Sequence, residues 1–375
     1  MDNNNEPIFT LDPPMQRASG LHFVPSENNA LRLAERLELT ILSHGLPPGY
    51  VFGSEQQLAR CYQTTYQAVR QALRILQWRD WGRMRRGAEG GLVIHTPNPG
   101  MAGKLLALHF SALGLTAKAV EQEQRQLLAK LTEHPVAWAL VDSLFAEILA
   151  HLRGKHEAPG TDNRALRIAR NILQDKTLGQ TALGSIDDLC ERYSAGKPIV
   201  VQALRVLESL DLVIGKRGRA GGFYFSRPGS SAIVKAVYPH FCAHIHDLAP
   251  VQDIINAINQ VSAQQAASGS GSLAQLTPLH ARLKHCRPDQ LVALQIESFR
   301  TLADLAQLPV LHTLIRCLWL FTIKKNSADE AMAALNVGLI KVSTEQILMA
   351  VQKQDADEAG RLVGHYFSEA VLLDL

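Results

Sequence analysis

Apolar and polar positions follow the same order in two stretches of the chain, residues 54–97 and 185–228. In the first stretch, apolar residues recur at helical spacing after Ser54, a residue type that caps the free backbone donors of a helix start. A polar link follows, and a second apolar stripe at Ala68, Val69, Ala72, Leu73 and Leu76 indicates an amphipathic helix. Glycines between two β-prone runs then predict a hairpin.

The two stretches are copies of one sequence. They align without a gap at a constant offset of 131 residues, and 15 of the 44 aligned positions are identical. The longest shared run, Gln-Ala-Leu-Arg, occupies residues 71–74 and 202–205. Self-similarity at one fixed spacing determines the domain plan of a chain. We therefore call residues 54–97 the first copy and residues 185–228 the second copy.

Each copy is predicted to form a winged helix, because two helices joined by a short polar link precede a basic hairpin. The hairpins carry Arg83, Arg85, Arg86 and Gly87 in the first copy, and Lys216, Arg217 and Arg219 in the second. In such domains the second helix fits the major groove of DNA and the wing lies along the backbone or the minor groove. The predicted fold class is mainly α, with two winged helix-turn-helix domains, each with a small β-hairpin wing, and all-α bundle regions.

A set of motifs in the first copy and just before it resembles a known family. Leu46-Pro47-Pro48-Gly49, Ser54-Glu55, Val69-Arg70-Gln71-Ala72-Leu73, Gly87 and Gly90-Gly91 resemble the winged helix of GntR-family bacterial transcriptional regulators. The second copy shows the same resemblance more weakly. The resemblance implies that double-stranded DNA is the partner and that the chain regulates transcription.

Parts of the remaining chain resemble the FCD effector domain of FadR-type GntR regulators. Residues 297–311 resemble its middle, residues 347–365 resemble its last two helices, and residues 127–152 resemble a fragment of it. The resemblance implies a small organic acid as effector and a possible homodimer. The predicted domains are a flexible tail (1–29), a winged helix (30–97), a short helical FCD-like fragment (98–160), a second winged helix (161–228) and a helical FCD-like effector and dimerisation domain (229–375).

The GntR resemblance also implies where the DNA contacts lie. The positions at which the family has arginines fall on Gln56, Tyr66 and Arg70 in the first copy, and on Asp187, Lys197 and Val201 in the second. Because the Asp187 carboxylate would repel phosphate, the second copy is expected to bind DNA weakly or to be a structural remnant. Arg74 and Arg205 are interpreted as helix-face charges rather than base contacts. The predicted DNA-binding residues are Ser54, Gln56, Thr65, Tyr66, Gln67, Arg70, Arg83, Arg85, Arg86, Gly87, Lys197, Lys216, Arg217 and Arg219.

The distribution of charge favours the same surface. The whole chain has a net charge of only +3, but the first copy carries +4 and the second +2, so the rest of the chain is net acidic. A charged face exposed to solvent is the ordinary explanation of such an excess. Here most of the excess lies on the predicted wings, where neutralisation of phosphate requires it.

The FCD resemblance points to four metal-ligand positions, which fall on Ile296, Arg300, Thr344 and His365. Only the histidine is an ordinary metal ligand, so we predict no metal and no cofactor. Arg300, with His365 nearby, is a weak candidate for holding an effector anion. An internal ion pair of Arg300 is the favoured alternative.

Several function classes lack their signatures in this sequence. There is no P-loop, no dinucleotide-binding glycine motif, no nucleophile elbow and no HExxH motif, so an enzyme is not expected. The start is polar, the five cysteines are scattered and no run of 18 residues is wholly apolar, so we expect a cytoplasmic protein with no membrane partner.

Two alternatives to a regulator remain open at this point. One is an effector-independent, architectural DNA-binding protein. The other is a protein-interaction module that has lost DNA binding. The sequence does not distinguish a repressor from an activator.

Overall fold

The chain is mainly helical and divides into two compact units. A computed structural model describes residues 13–19, 21, 28–87, 90–154, 161–176, 180–216, 221–326 and 337–372. Unit 1 comprises residues 1–10, 23–117 and 146–246, and unit 2 comprises residues 11–22, 118–145 and 247–375. Both sequence copies belong to unit 1.

The elements follow one another in this order along the first half of the chain. They are α1 (Pro13–Ser19), α2 (Asn29–Ser43), α3 (Glu55–Cys61), α4 (Tyr66–Trp78), β1 (Gly82–Arg85), β2 (Gly91–Ile94), α5 (Met101–Ala112), α6 (Ala117–Leu128) and α7 (Pro135–Leu152). We call α2 to β2 the first module.

The second half repeats this order and then continues as helices. Its elements are α8 (Thr161–Gln174), β3 (Ala182–Gly184), α9 (Ile186–Arg192), α10 (Lys197–Ser209), β4 (Val213–Lys216), β5 (Gly222–Phe225), α11 (Ser230–His244), α12 (Ala249–Ser268), α13 (Leu276–Lys284), α14 (Pro288–Ala306), α15 (Pro309–Asn326), α16 (Val337–Gln352) and α17 (Ala356–Leu372). We call α8 to β5 the second module.

The two modules share their element boundaries at the offset of the sequence repeat. Both helices and both hairpin strands of the second copy begin and end 131 residues after their counterparts in the first. Even the left-handed turn residues match, with φ of 47° at Gln63 and 45° at Ser194. In the second module β3 adds a third strand, in the order β3-β5-β4. Its counterpart in the first module is the single bridge from Val51 to Val93.

The core of the first module is built by the apolar stripe that the sequence predicts. Val69, Ala72 and Leu76 of α4 are completely buried, together with Leu37 of α2 and Leu92 of β2. Burying a side chain such as leucine stabilises the folded state by about 1.5–3 kcal/mol. The stripe therefore holds α4 against α2, and the polar face of α4 points to solvent.

The helix that follows each wing packs on the other module. Helix α5, which follows the first hairpin, packs on α8, and α11, which follows the second hairpin, packs on α2; α5 and α11 also pack on each other. Lys235 of α11 forms an ion pair with Glu35 of α2 at 3.2 Å, and both side chains are largely buried. This reciprocal packing joins the two modules into one unit.

Unit 2 is a bundle arranged around α12. This helix packs against α14, α15, α16 and α17, and α13 contacts α14 and α16. The buried carboxylate of Glu123 in α6 accepts a hydrogen bond from the backbone N–H of Leu311 at 2.9 Å, at the first turn of α15. A carboxylate at this place satisfies a donor that the helix itself leaves unpaired.

The N-terminal region differs from the sequence prediction. Residues 13–19, which fall in the predicted flexible tail 1–29, form α1 and pack against α14 of unit 2. Ala18 and Leu21 are buried there, and the hydroxyl of Ser19 donates to the carbonyl of Met15. The prediction of a loose tail is wrong for these residues, because seven residues are too few to show a helical period. Residues 1–12 lie outside the described part.

Helix α7 is relevant to the expectation that the protein has no membrane partner. Among the described residues, α7 alone is long and apolar enough to cross a membrane by length and composition. A single helix of this kind is weak evidence for a membrane span. Asp142 and Glu147 interrupt its apolar surface.

Candidate nucleic-acid interface

Two side-chain caps position the helix pair of the first module. The hydroxyl of Ser54 accepts from the backbone N–H of Gln57, whose amide oxygen in turn accepts from the N–H of Ser54 at 2.8 Å. Thr65 caps α4 by accepting from the N–H of Ala68 at 3.2 Å. Caps of this kind contribute about 1 kcal/mol each. Ser54 and Thr65, both predicted as DNA-binding residues, therefore also fix where the two helices begin.

The N-terminal half of α4 presents polar side chains to solvent. Tyr66 is half exposed, and Gln67 and Arg70 are exposed. Gln56, on the neighbouring helix α3, is exposed as well. These four predicted residues lie on the outward surface of the first module, where a ligand as large as a duplex has access to them.

Arg70 is held by a partner within the module. Its Nε donates to the Glu55 carboxylate at 2.7 Å, and this bond raises the pKa of the guanidinium above its usual value. The bond occupies only Nε, and the side chain remains two-thirds exposed. Glu55 therefore orients the guanidinium, whose Nη donors remain outside this bond.

The wing of the first module carries its arginines on one face. In the β1–β2 register Arg83 lies opposite Val93 and Arg85 lies opposite Gly91. Since side chains alternate along a strand, Arg83 and Arg85 point to the same side, and both are exposed. Arg86 and Gly87 follow at the exposed tip. Residues 88–89 lie outside the described part.

Gly91 is required by a close backbone approach. A Cβ at this position would lie 2.6 Å from the carbonyl oxygen of Gly53, the residue that precedes the Ser54 cap of α3. The wing therefore packs tightly against the start of the helix pair.

The second module presents a less basic surface. Lys197 is exposed and lies 3.4 Å from the Asp187 carboxylate, while Val201 is half-buried. Lys216 of the wing lies over the ring of Tyr224, with Nζ 4.8 Å from the centroid. Arg217 and Arg219, also predicted as DNA-binding residues, lie outside the described residues.

The second helices of the two modules line one cleft, which sequence reasoning did not anticipate. Gln71, Arg74 and Ile75 of α4 line it together with their repeat counterparts Gln202, Arg205 and Val206 of α10. Residues at matching positions of the two copies therefore face the same cleft. The signal was present in the sequence, because the shared run Gln-Ala-Leu-Arg supplies four of these six side chains.

In unit 2 the candidate effector residues have different surroundings. Nη1 of Arg300 lies 4.0 Å from Oδ2 of Asp304, in agreement with the alternative of an internal ion pair. His365 is exposed in an open groove that also involves Lys130 and Arg361, and the residues lining that groove do not include Arg300. The structure thus does not place the two residues in one pocket.

The four metal-ligand positions implied by the FCD resemblance contain little that could bind a metal. The hydroxyl of Thr344 is buried and donates to the carbonyl of Ile340 at 2.7 Å. In the described part of the chain, no three His, Cys, Asp or Glu side chains come together as a metal site.

Comparisons with known proteins give partial likenesses. A solved structure of Streptococcus agalactiae GntR is similar over 56% of this chain and 98% of that chain, with 14% identity and a TM-score of 0.39. A structure of E. coli McbR/YncC is similar over 56% of this chain and 97% of that chain, with 16% identity and a TM-score of 0.28. No protein-family model matches the sequence, and no curated protein matches it. With scores this low, functional inference rests on the chain's own residues.

Proposed function

We propose that this protein is a sequence-specific DNA-binding transcriptional regulator in which two winged helix-turn-helix modules of one chain act as a pseudo-dimer. The observation that carries this proposal is the pair of modules in one compact unit, whose helix pairs and hairpin strands have the same bounds at the repeat offset and whose helices α5 and α11 pack reciprocally on the other module. Paired modules of this kind ordinarily come from two chains of a symmetric dimer. Here one chain supplies both.

The first module is the principal DNA-binding element in this proposal. Tyr66, Gln67 and Arg70 on the exposed half of α4 face the bases, and the wing arginines neutralise phosphates. Hydrogen bonds to base edges supply specificity, and the release of counterions from phosphate supplies much of the affinity.

The second module contributes a weaker contact. Its helix-pair surface carries an Asp187–Lys197 pair where the first module carries Gln56 and Tyr66, so the positive charge there is partly cancelled. The covalent link still makes its contact with DNA an intramolecular event after the first module binds, which raises its effective concentration. An asymmetric operator follows from this difference.

Unit 2 is assigned the sensing and assembly role. Its effector in this proposal is a small organic acid, and it offers a surface on which a second copy of the chain could form a homodimer. The protein acts in the cytoplasm, has no membrane partner and is not an enzyme. Arg300 and His365 stay candidates for the effector, with the Asp304 contact favouring a structural role for Arg300.

One alternative has an observation in its favour. The half-buried Val201 and the internal ion pair of the second module suit a protein surface better than phosphate. If the protein is an interaction module that does not bind DNA, it should show no salt-dependent affinity for DNA. An architectural DNA-binding protein predicts affinity without preference for particular fragments.

Selection of genomic duplexes by the purified full chain, followed by titrations over a salt series, tests the proposal. The regulator is expected to enrich specific fragments, and Arg70→Ala should reduce affinity for them. Replacing Arg83, Arg85 and Arg86 with alanine should reduce the magnitude of the salt slope by about 2–3, close to 0.9 for each phosphate that is no longer neutralised. The matched control replaces Arg125, Arg287 and Lys353, three exposed cations outside the modules. Retention of no fragment at low salt, or an equal reduction in the control, would refute the proposal.

A further inference from the structure

The cleft between α4 and α10 has the size of a small-molecule site. It measures about 680 Å³, which lies within the range of ligand pockets. Apolar side chains from both modules form much of its lining: Ile75, Trp78 and Met84 from the first, and Pro198, Val201 and Val206 from the second.

Two arginines in the lining have no partner in the described part of the chain. Arg74 and Arg83 are exposed, and neither makes a hydrogen bond or an ion pair with any described residue. Arg205, the third arginine in the lining, donates instead to Glu208 at 2.7 Å. The lining therefore holds two cationic groups without an ion-pair partner among the described residues.

The one carboxylate in the lining is already engaged. Asp80 lies with Oδ1 2.8 Å from Nε2 of His95, and its Oδ2 accepts from the backbone N–H of Asn98 at 2.8 Å. These bonds hold the carboxylate towards His95 and Asn98, and its single negative charge faces the two positive charges of Arg74 and Arg83 in the lining.

Trp78 forms part of the apolar wall of the cleft. The residue is 3% exposed, and its indole Nε1 is closed to solvent, so the ring serves the cleft through its apolar surface.

Part of the cleft lining differs between the two copies. At the repeat offset, Trp78, Arg83 and Met84 are replaced by Ser209, Ile214 and Gly215, whereas Gln71 and Arg74 are repeated as Gln202 and Arg205. The first module therefore contributes the tryptophan of the lining and a second arginine that lacks a partner among the described residues.

A DNA duplex does not suit this cleft. The double helix is wider than a space of this volume, and its bases and phosphates gain nothing from an apolar floor. An apolar body with one negatively charged end matches both the lining and the two arginines.

We propose that the cleft binds a small organic anion with a planar apolar body, whose carboxylate pairs with Arg74 and Arg83 and whose body packs on Trp78, Ile75 and Val206. A ligand here lies between the two second helices. Arg83 is also one of the wing arginines that neutralise phosphate in the proposed function, so occupancy of the cleft opposes DNA binding, a consequence that rests on the proposed function.

Isothermal titration calorimetry of the full chain without DNA tests the site. The probes are 2-naphthoate, its neutral analogue 2-naphthylmethanol, and acetate, which carries the charge without the body. We expect 2-naphthoate to bind at least about tenfold more tightly than either, because a charge-assisted bond and an apolar contact act together.

Three variants locate the binding. Arg74→Ala with Arg83→Ala should weaken 2-naphthoate at least about tenfold, and Val201→Trp should also weaken it, because the larger ring occupies part of the space next to Val206. Arg32→Ala with Arg60→Ala removes two exposed arginines of the same module that do not line the cleft and should leave binding unchanged. Circular dichroism confirms that each variant is folded.

Binding of 2-naphthoate that survives both cleft variants, or equal binding of the neutral analogue, overturns the site, as does absence of binding to the wild type. A separate titration of DNA in the presence of 2-naphthoate tests the competition. A wild type that binds 2-naphthoate but no DNA retains the site and refutes the proposed function. Unchanged DNA affinity at saturating ligand refutes the competition.

Discussion

Glu38 and Arg79 form an ion pair inside the first module. Nη1 of Arg79 donates to the Glu38 carboxylate at 2.7 Å, and the two side chains are only 1–2% exposed. Burial raises the pKa of Glu38 to about 7, although Arg79 opposes this shift. The position that matches Arg79 in the second copy is Leu210, which is buried. The first module thus has a charged side chain at a position where the second module has an apolar one.

This internal comparison gives a stability prediction. Glu38→Ala or Arg79→Leu alone should destabilise the protein by about 3–5 kcal/mol, because each leaves a charge buried without its partner. The double variant Glu38→Ala with Arg79→Leu, which removes both buried charges together, should cost clearly less than the sum of the two. Chemical unfolding followed by circular dichroism measures the coupling. Additive effects would show that the two side chains do not depend on each other.

Glu123 gives a prediction about pH. Burial raises the pKa of this carboxyl to about 7, although the N–H of Leu311 donates to it. Because the folded state favours the protonated form, the stabilisation is complete below pH 4.5 and is lost as the pH rises through 7. The difference in unfolding free energy between wild type and Glu123→Gln should therefore fall by on the order of 3 kcal/mol from pH 4.5 to 8.

Glutamine keeps an acceptor for the N–H of Leu311 and does not titrate. The comparison with this variant therefore separates the pH effect of Glu123 from that of the buried histidines. His109 and His240 have pKa values lowered by burial, to about 4 and about 3, and they act in the opposite direction. Both remain in the variant, so their contribution cancels in the difference. A difference that stays constant between pH 4.5 and 8 would show that folding does not raise the pKa of Glu123.

At the scale of elements, the helix pair of the second module offers a gain-of-function test. Asp187→Gln copies Gln56, the residue at the matching position of the first module. Removing one exposed negative charge that faces phosphate should raise DNA affinity about fivefold at low salt, since such a repulsion amounts to about 1 kcal/mol. The effect should vanish at high salt. Titrations of an operator fragment at two salt concentrations measure it.

The matched control is Asp357→Gln, which removes an exposed carboxylate from α17 in unit 2. Equal gains in both variants would show a general charge effect. No gain in Asp187→Gln would show that this helix pair does not approach DNA.

The elements of each copy could be predicted from the sequence because local patterns specify them. Capping by Ser54, the apolar stripe of α4 and the glycines of the wing all act within a few residues of their positions. The packing of α5 and α11 on the opposite modules could not be predicted. It depends on contacts such as Lys235 to Glu35, which are 200 residues apart and leave no local signal.

The candidate site was predicted in part for the same reason. Exposed residues such as Tyr66 and Arg70 follow from their places on an amphipathic helix. The cleft arises only when two modules are brought together, so interpreting Arg74 and Arg205 as isolated helix-face charges missed their common surroundings.

At the scale of the whole molecule, the central claim is that one chain brings two modules to one DNA site. A conventional dimeric regulator needs two chains to do this. The reciprocal packing of α5 on α8 and of α11 on α2 holds both modules in one compact unit of a single chain.

The stoichiometry of the complex tests this claim most directly. Sedimentation velocity of the protein with its selected operator fragment, at protein concentrations below and above the dissociation constant, counts the chains bound to each duplex. One chain on each operator, with backbone protection that extends over two adjacent segments, is the predicted result. A complex that forms only with two chains on each operator, with no single-chain complex at any concentration, would contradict it.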